Sequence, residues 1–136
     1  MRFVMPQKVK FKHCDPAGIV FYPRYFEMIN DCVEAFFDDA LACPFEDLHK
    51  EGGVPTAEIS VQFTAPSRHG DHLELALTCT RLGRSSLGIQ TEATCQGARR
   101  FLATSTLVLI DGFGKSTPWP DALRHKLQMR VQKAAA

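Results

Sequence analysis

From Tyr22 to Leu41 the chain sets apolar residues at Tyr25, Phe26, Ile29, Cys32, Val33, Phe36, Phe37, Ala40 and Leu41. This is the i, i+3, i+4, i+7 spacing of an amphipathic helix. The polar set Arg24, Glu27, Asn30, Asp31, Glu34, Asp38 and Asp39 falls on the other side. An apolar side with so many rings needs more cover than one neighbouring helix provides, and the rest of the chain must supply something large and flat.

What leads into this helix is a turn. Proline fixes its own φ and pushes the residue before it out of the helical region, so Asp15-Pro16 breaks the chain direction. Gly18 then permits backbone angles that a β-carbon forbids. Pro23 suits the first helical turn, where an N–H would have no intrahelical partner.

The flat element is legible downstream. From Thr56 to Thr64, Ile59, Val61 and Phe63 alternate with Glu58, Ser60 and Gln62, the period of a strand. Asp71 to Leu82 continues with Leu73, Leu75, Leu77 and Cys79 on one face. Gly83-Arg84 and Gly97-Ala98 are short connections, so Ser85 to Gln96 and Arg99 to Asp111 should return as an antiparallel meander. The last of these is apolar on both faces, with Ala103, Leu107 and Leu109 against Leu102, Val108 and Ile110, and is expected in the centre of the sheet. Gln7 to His13 is expected to form a first strand, with Val9 and Phe11 alternating with Lys8, Lys10 and Lys12. Cys43 to Pro55 reads as an irregular connector. A short amphipathic helix should carry Leu123, Leu127 and Val131, and Ala134 to Ala136 should fray.

At 136 residues this is one domain, 1–136, of α+β class: a curved antiparallel five-stranded sheet wrapped around one long helix, with a short C-terminal helix. One sheet over one helix leaves apolar surface to cover, for which pairing with a second copy is the usual solution. A formal net charge of +1, with Lys and Arg scattered, gives no electrostatic reason for a nucleic-acid partner. No stretch approaches the roughly 20 apolar residues that span a bilayer, and no signal-peptide core opens the chain. No membrane insertion and a cytoplasmic location are therefore expected. The five cysteines include no CxxC pair, suggest neither a disulfide framework nor a metal site, and read mostly as small buried hydrophobes.

The segment Asp15-Pro16-Ala17-Gly18-Ile19-Val20-Phe21-Tyr22-Pro23 resembles the signature of the 4-hydroxybenzoyl-CoA thioesterase family, the hotdog-fold acyl-CoA thioesterases that include the Tol-Pal-associated type. Weaker matches extend over most of the chain: Val54-Pro55, Gly70-Asp71 and Leu82-Gly83-Arg84-Ser85-Ser86. The resemblance implies a homodimer with a continuous sheet, often paired into a homotetramer, active sites at the dimer interface, no metal, and no cofactor beyond the coenzyme A of substrate and product.

Thioester hydrolysis needs an attacking oxygen, a cradle for the oxyanion and a grip on the carrier. Asp15 suits the first role, as nucleophile or as general base on a water. The positive end of the following helix suits the second, and by the family motif the backbone N–H of Tyr22 is the donor. Read locally, Asp15 is more simply the first residue of an Asx-type turn; the complete signature reverses the reading to catalysis. His13, two residues upstream on an extended strand, would point to the same side as Asp15 and either orient the carboxylate or carry a proton; the plainer reading is a strand-end histidine touching solvent or backbone.

For the carrier, Arg84 sits where the family places a basic nucleotide contact, Ser85 and Ser86 add hydroxyls, and Arg81 and Lys115 are supplements, although exposed turn charge explains these two as well. Gly18, Tyr25 and Phe26 are expected near the acyl group, core packing being the plainer role for both rings. Two other functions share these residues: a hotdog dehydratase or hydratase using His13 and Asp15, and a protein that binds an acyl thioester without turnover. The expected partner is an acyl thioester of coenzyme A or of acyl carrier protein.

Overall fold

The computed structural model describes residues 2–131, so the expected fraying of Ala134 to Ala136 lies outside the described residues. The strands are β1 (Phe3–Lys8), β2 (Gly52–Gly53), β3 (Thr56–Phe63), β4 (His72–Leu82), β5 (Ser86–Cys95), β6 (Ala98–Val108) and β7 (Ile110–Asp111). The helices are α1 (Pro23–Ala35), α2 (Phe45–Leu48) and α3 (Asp121–Gln128). Five strands form one antiparallel sheet in the order β1-β4-β5-β6-β3, while β2 and β7 pair separately.

The expected helix is present, and its spacing is read out in burial. Tyr25, Met28, Ile29, Cys32 and Val33 of α1 are buried, and the run continues through Phe36 and Phe37 as a π-helical turn, Phe36–Ala40. These side chains face Leu73, Leu75, Leu77 and Cys79 of β4, Leu87, Ile89 and Ala93 of β5 and Phe101, Ala103 and Leu107 of β6, all within one core. The five cysteines are free, and Cys32, Cys79 and Cys95 are buried. Burial pushes the Cys32 thiol up to about 12 and the Cys79 thiol to about 11, so both stay protonated packing groups.

Several expectations need correction. The first strand is Phe3–Lys8, not Gln7 to His13. Its Pro6 is accommodated because β1 is an edge strand, where a missing N–H costs no ladder bond. Beyond buried Val9 the chain turns, Phe11 is 81% exposed, and Phe11–His13 form a single 3-10 turn. Ser86–Cys95, rather than the strand after it, is the middle of the sheet; β6 lies between β5 and β3. That last strand also breaks at Leu109, so Ile110 and Asp111 leave the main sheet to pair with Gly53 and Gly52 in the connector taken as irregular. A β-carbon on Gly52 would run into the Ile110 carbonyl, which is why the pairing needs glycine there.

The crossover from β3 to β4 carries the chain from one edge of the sheet to the strand beside the other edge. As an edge strand β3 is exposed along nearly its whole length. Ile59, Val61 and Phe63 stand in register with buried Ser105, Ala103 and Phe101, so they face the helix side of the sheet. Ile59 and Phe63 are nevertheless 37% and 46% exposed, although Tyr25 and Phe26 of α1 meet the Phe63 ring.

Candidate active site

Asp15, Pro16, Ala17 and Gly18 form a tight turn in which the Gly18 N–H donates to the Asp15 carbonyl at 2.9 Å. Gly18 takes φ of 78°, the left-handed region that favours glycine. The two arms of the turn run antiparallel: the Asp15 N–H donates to the Ile19 carbonyl, Cys14 bridges Val20, and the Phe21 N–H donates to the His13 carbonyl. This short ladder ties the turn that carries Asp15 to the start of α1.

The half-buried Asp15 side chain has two unlike oxygens. Its Oδ1 accepts the Ala17 N–H at 2.9 Å, the Asx-type bond, and its other oxygen has no protein partner among the described residues. The turn therefore occupies one oxygen, which orients the group, and leaves the other without a protein partner among the described residues. At the helix start, the Phe21 N–H is taken by His13, Pro23 has none, and the Arg24 and Tyr25 N–H groups bond back to Phe21 and Tyr22. The Tyr22 N–H has no acceptor among the described residues. An unpaired N–H at the positive end of a helix is suited to a developing oxyanion.

Behind the turn, the loop between β3 and β4 supports it. Ile19 bridges Arg68, and the Val20 N–H donates to the Ser67 carbonyl. Asp71 pins this loop, its Oδ2 accepting both the Arg68 N–H and an Arg100 guanidinium N–H at 2.9 Å. These hydrogen bonds, the Arg68 one foremost, hold the Asp71 carboxyl below its ordinary value.

An open depression of about 480 Å³ adjoins the helix start, lined by Val20, Tyr22, Tyr25, Phe63, Thr64, Ala65 and Pro66. Phe63 is its hub: its ring stacks on Tyr25 at 5.6 Å and meets Tyr22 at 6.1 Å. Tyr25 lines the depression as expected while sitting buried against Phe101. Phe26 faces a separate hollow with Lys12, Glu27, Asn30 and Asp31. Sequence reasoning missed Phe63, which the alternation of its strand assigned to the core; its place at the last position of that strand, just before Pro66, was the available signal.

His13 is not where an extended strand would put it. It lies in the 3-10 turn, 5% exposed, with Nδ1 accepting the Lys10 N–H at 2.9 Å and no hydrogen bond to Asp15 among the described residues. Burial first, then the charge of Lys12, lowers its pKa below 6.5, with Lys10 and Arg24 adding to the shift and Glu27 opposing it.

Arg84, Ser85 and Ser86 are likewise not beside Asp15 within this chain. The Asp15 turn sits at the His72 end of β4, where Val9 brackets Gly70 and Asp71, and Arg84 follows the Leu82 end. At about 3.3 Å per residue the two ends lie roughly 35 Å apart along the strand. There the Arg84 carbonyl accepts the Trp119 N–H, the Ser86 carbonyl accepts the Trp119 indole N–H at 3.1 Å, and Arg124 donates to the Gly83 carbonyl. Ser86 opens β5, its hydroxyl lying over Gly83. Arg81, at the last turn of β4, and Lys115, paired through its backbone with Asp111, gather at this same far end.

Residues 9–127 match the family model of the thioesterase-like superfamily. The chain belongs to that superfamily. Among curated relatives of this superfamily member is a 4-hydroxybenzoyl-CoA thioesterase from Pseudomonas sp. (strain CBS-3), 27% identical over 89 residues, or 63% of this chain. The match spans 62% of that relative's length. Among solved structures, a gentisyl-coenzyme A thioesterase is 28% identical with a TM-score of 0.85, over 92% of this chain and 99% of that one. A 1,4-dihydroxy-2-naphthoyl-CoA thioesterase from Synechocystis, 20% identical, superposes with a TM-score of 0.86 over 94% and 96% of the two chains, a likeness of fold. The architecture of this superfamily member is thus the hotdog arrangement that its apolar helix and antiparallel strands imply. No helix among the described residues is long and apolar enough to cross a membrane.

Proposed function

We propose that this chain hydrolyses an acyl-CoA thioester to the free acid and coenzyme A, with a short or aromatic acyl group. The observation that carries the reading is the pairing of one free Asp15 carboxylate oxygen with the unpaired Tyr22 N–H across a hydrogen-bonded ladder. In the reaction the thioester carbonyl oxygen takes up negative charge against the Tyr22 N–H. Asp15 either attacks the carbonyl carbon itself or takes the proton of a water that does. Collapse breaks the C–S bond, and the thiolate leaves and is protonated; where Asp15 itself attacked, the acyl group is left on it as a mixed anhydride, which a water then hydrolyses to the free acid and the restored carboxylate. An aromatic acyl group is supported by the ring-lined depression beside Tyr22 and by the aromatic acyl thioesters for which the relatives at 27% and 28% identity are named.

The working unit of the proposal is a homodimer, the basis of the tetramer that the family resemblance implies. A second copy added to the free edge of β3 covers Ile59 and the part of Phe63 that remains exposed. Because Arg84 lies at the far end of β4 from Asp15, its contact with the nucleotide of coenzyme A, together with Ser85, comes from a neighbouring subunit.

Thiol release from a panel of short-chain, long-chain and aromatic acyl-CoAs tests the reading. Asp15→Asn should lower kcat by about 10²–10⁴-fold with folding unchanged. Turnover that ignores the substitution removes Asp15 from the chemistry. A double-bond absorbance change without thiol release would favour the dehydratase, and ligand binding without turnover a purely binding role. A single turnover in ¹⁸O water tests the routes: direct attack by water must label the first product acid, whereas label in the Asp15 carboxylate, or a first product without label, marks the anhydride route.

A further inference from the structure

The 3-10 turn before Asp15 is closed by a side chain. Its backbone bonds run from the His13 N–H to the Lys10 carbonyl at 3.0 Å and from the Cys14 N–H to the Phe11 carbonyl at 3.1 Å. The remaining donor, the Lys10 N–H, is met by His13 Nδ1 at 2.9 Å. The carbonyl of the same residue accepts the Phe21 N–H, the last ladder bond before Tyr22. One residue therefore ties together the turn, the arm that ends in Asp15 and the start of α1.

A backbone N–H can only donate, so the nitrogen that receives it must present a lone pair. In the neutral ring the proton then sits on Nε2, and a second proton on Nδ1 would set one N–H against another. The charged groups around the ring are Lys10 and Lys12 on its own segment and Arg24 and Glu27 on α1, three cations against one carboxylate. With the ring buried, both solvation and charge oppose imidazolium.

We propose that His13 is a positioning residue and not a proton carrier: by accepting the Lys10 N–H through Nδ1 it fixes the turn from which Asp15 is presented to the helix start. The inference rests on Asp15 as the catalytic carboxylate. It assigns the importance of this histidine to its near nitrogen, and a side chain that offers an acceptor at the same short reach should replace it.

Asparagine places its carbonyl oxygen near the position of Nδ1, whereas glutamine places its amide near that of Nε2. His13→Asn should therefore keep kcat within about threefold of wild type, and His13→Gln and His13→Ala should lose about 10²-fold in kcat with little change in KM, the size expected when a reacting group is misplaced by about 1 Å. Above pH 6.5, where the ring is neutral, the pH–rate profiles of wild type and His13→Asn should superimpose. If His13→Asn falls as far as His13→Ala while melting like wild type, and an ionisation present in the wild-type profile vanishes, the histidine carries protons and the proposal is overturned. The ¹⁵N NMR signals of the ring give a second arm that needs no turnover. An Nδ1 that keeps its lone pair, with the proton on Nε2, as the pH is taken below 6.5 supports the proposal, and a proton on Nδ1 overturns it. If wild type hydrolyses nothing, the thioesterase reading fails and the NMR arm still decides the role of His13.

Discussion

At the scale of single residues, the loop that backs the Asp15 turn depends on one carboxylate. Asp71 is the acceptor for both Arg68 N–H and Arg100, and Arg100 also reaches the Pro66 carbonyl. Folding holds the Asp71 pKa below its ordinary value of 3.8, so its stabilisation is complete above that value and is lost as pH falls through the lower folded value. Asp71→Asn should cost on the order of 1 kcal/mol near neutrality, a modest loss because the pair is partly open to water. Melting temperatures of the two proteins should converge as the pH is taken to the acid end; a constant gap would show that the charge is not what matters. His13 has the same sign: folding favours its neutral form, so its contribution is present above 6.5 and declines as pH falls toward the lower folded value. The turn that carries Asp15 could be read from its neighbours in sequence, since an Asp-Pro pair before a helix is a local pattern. The place of His13 could not, because a strand and a 3-10 turn put the same side chain in different positions.

Among elements, the long helix and the β4-β5-β6 meander follow from periodicity alone, while the connector between Cys43 and Pro55 does not. Two glycines look like a breaker, yet Gly52 and Gly53 make a strand because Asp111 and Ile110 pass close enough to pair with them. No window of sequence contains both partners. Gly52→Ala drives a β-carbon into the Ile110 carbonyl, so the pairing must spread or break. We expect a loss of about 1–3 kcal/mol, read as a lower denaturant midpoint at unchanged m-value. A midpoint within error of wild type would mean that the two short strands contribute nothing to stability.

On the scale of the whole molecule, the open edge is the feature that asks for a partner. Ile59 faces the helix side of the sheet and is exposed there. Sedimentation should show wild type as a dimer or larger, and Ile59→Lys, which places a charge in that seam, should shift it toward monomer with secondary structure retained. A monomeric wild type would remove the second copy from the site, and with it the route by which Arg84 reaches the carrier.

The sequence by itself determined the class of the fold, the order of its main elements, the buried face of α1 and the turn that carries Asp15. Each of these is written in spacings of a few residues, where side-chain period and turn chemistry act directly on the backbone. Only the tertiary structure decided that β3 leaves for the far edge, that Phe63 opens onto the depression, that His13 closes on Lys10, and that Arg84 stands a strand's length from Asp15. Those outcomes join residues distant in the chain, and their geometry is set by which surfaces the whole core can bury at once rather than by any local preference.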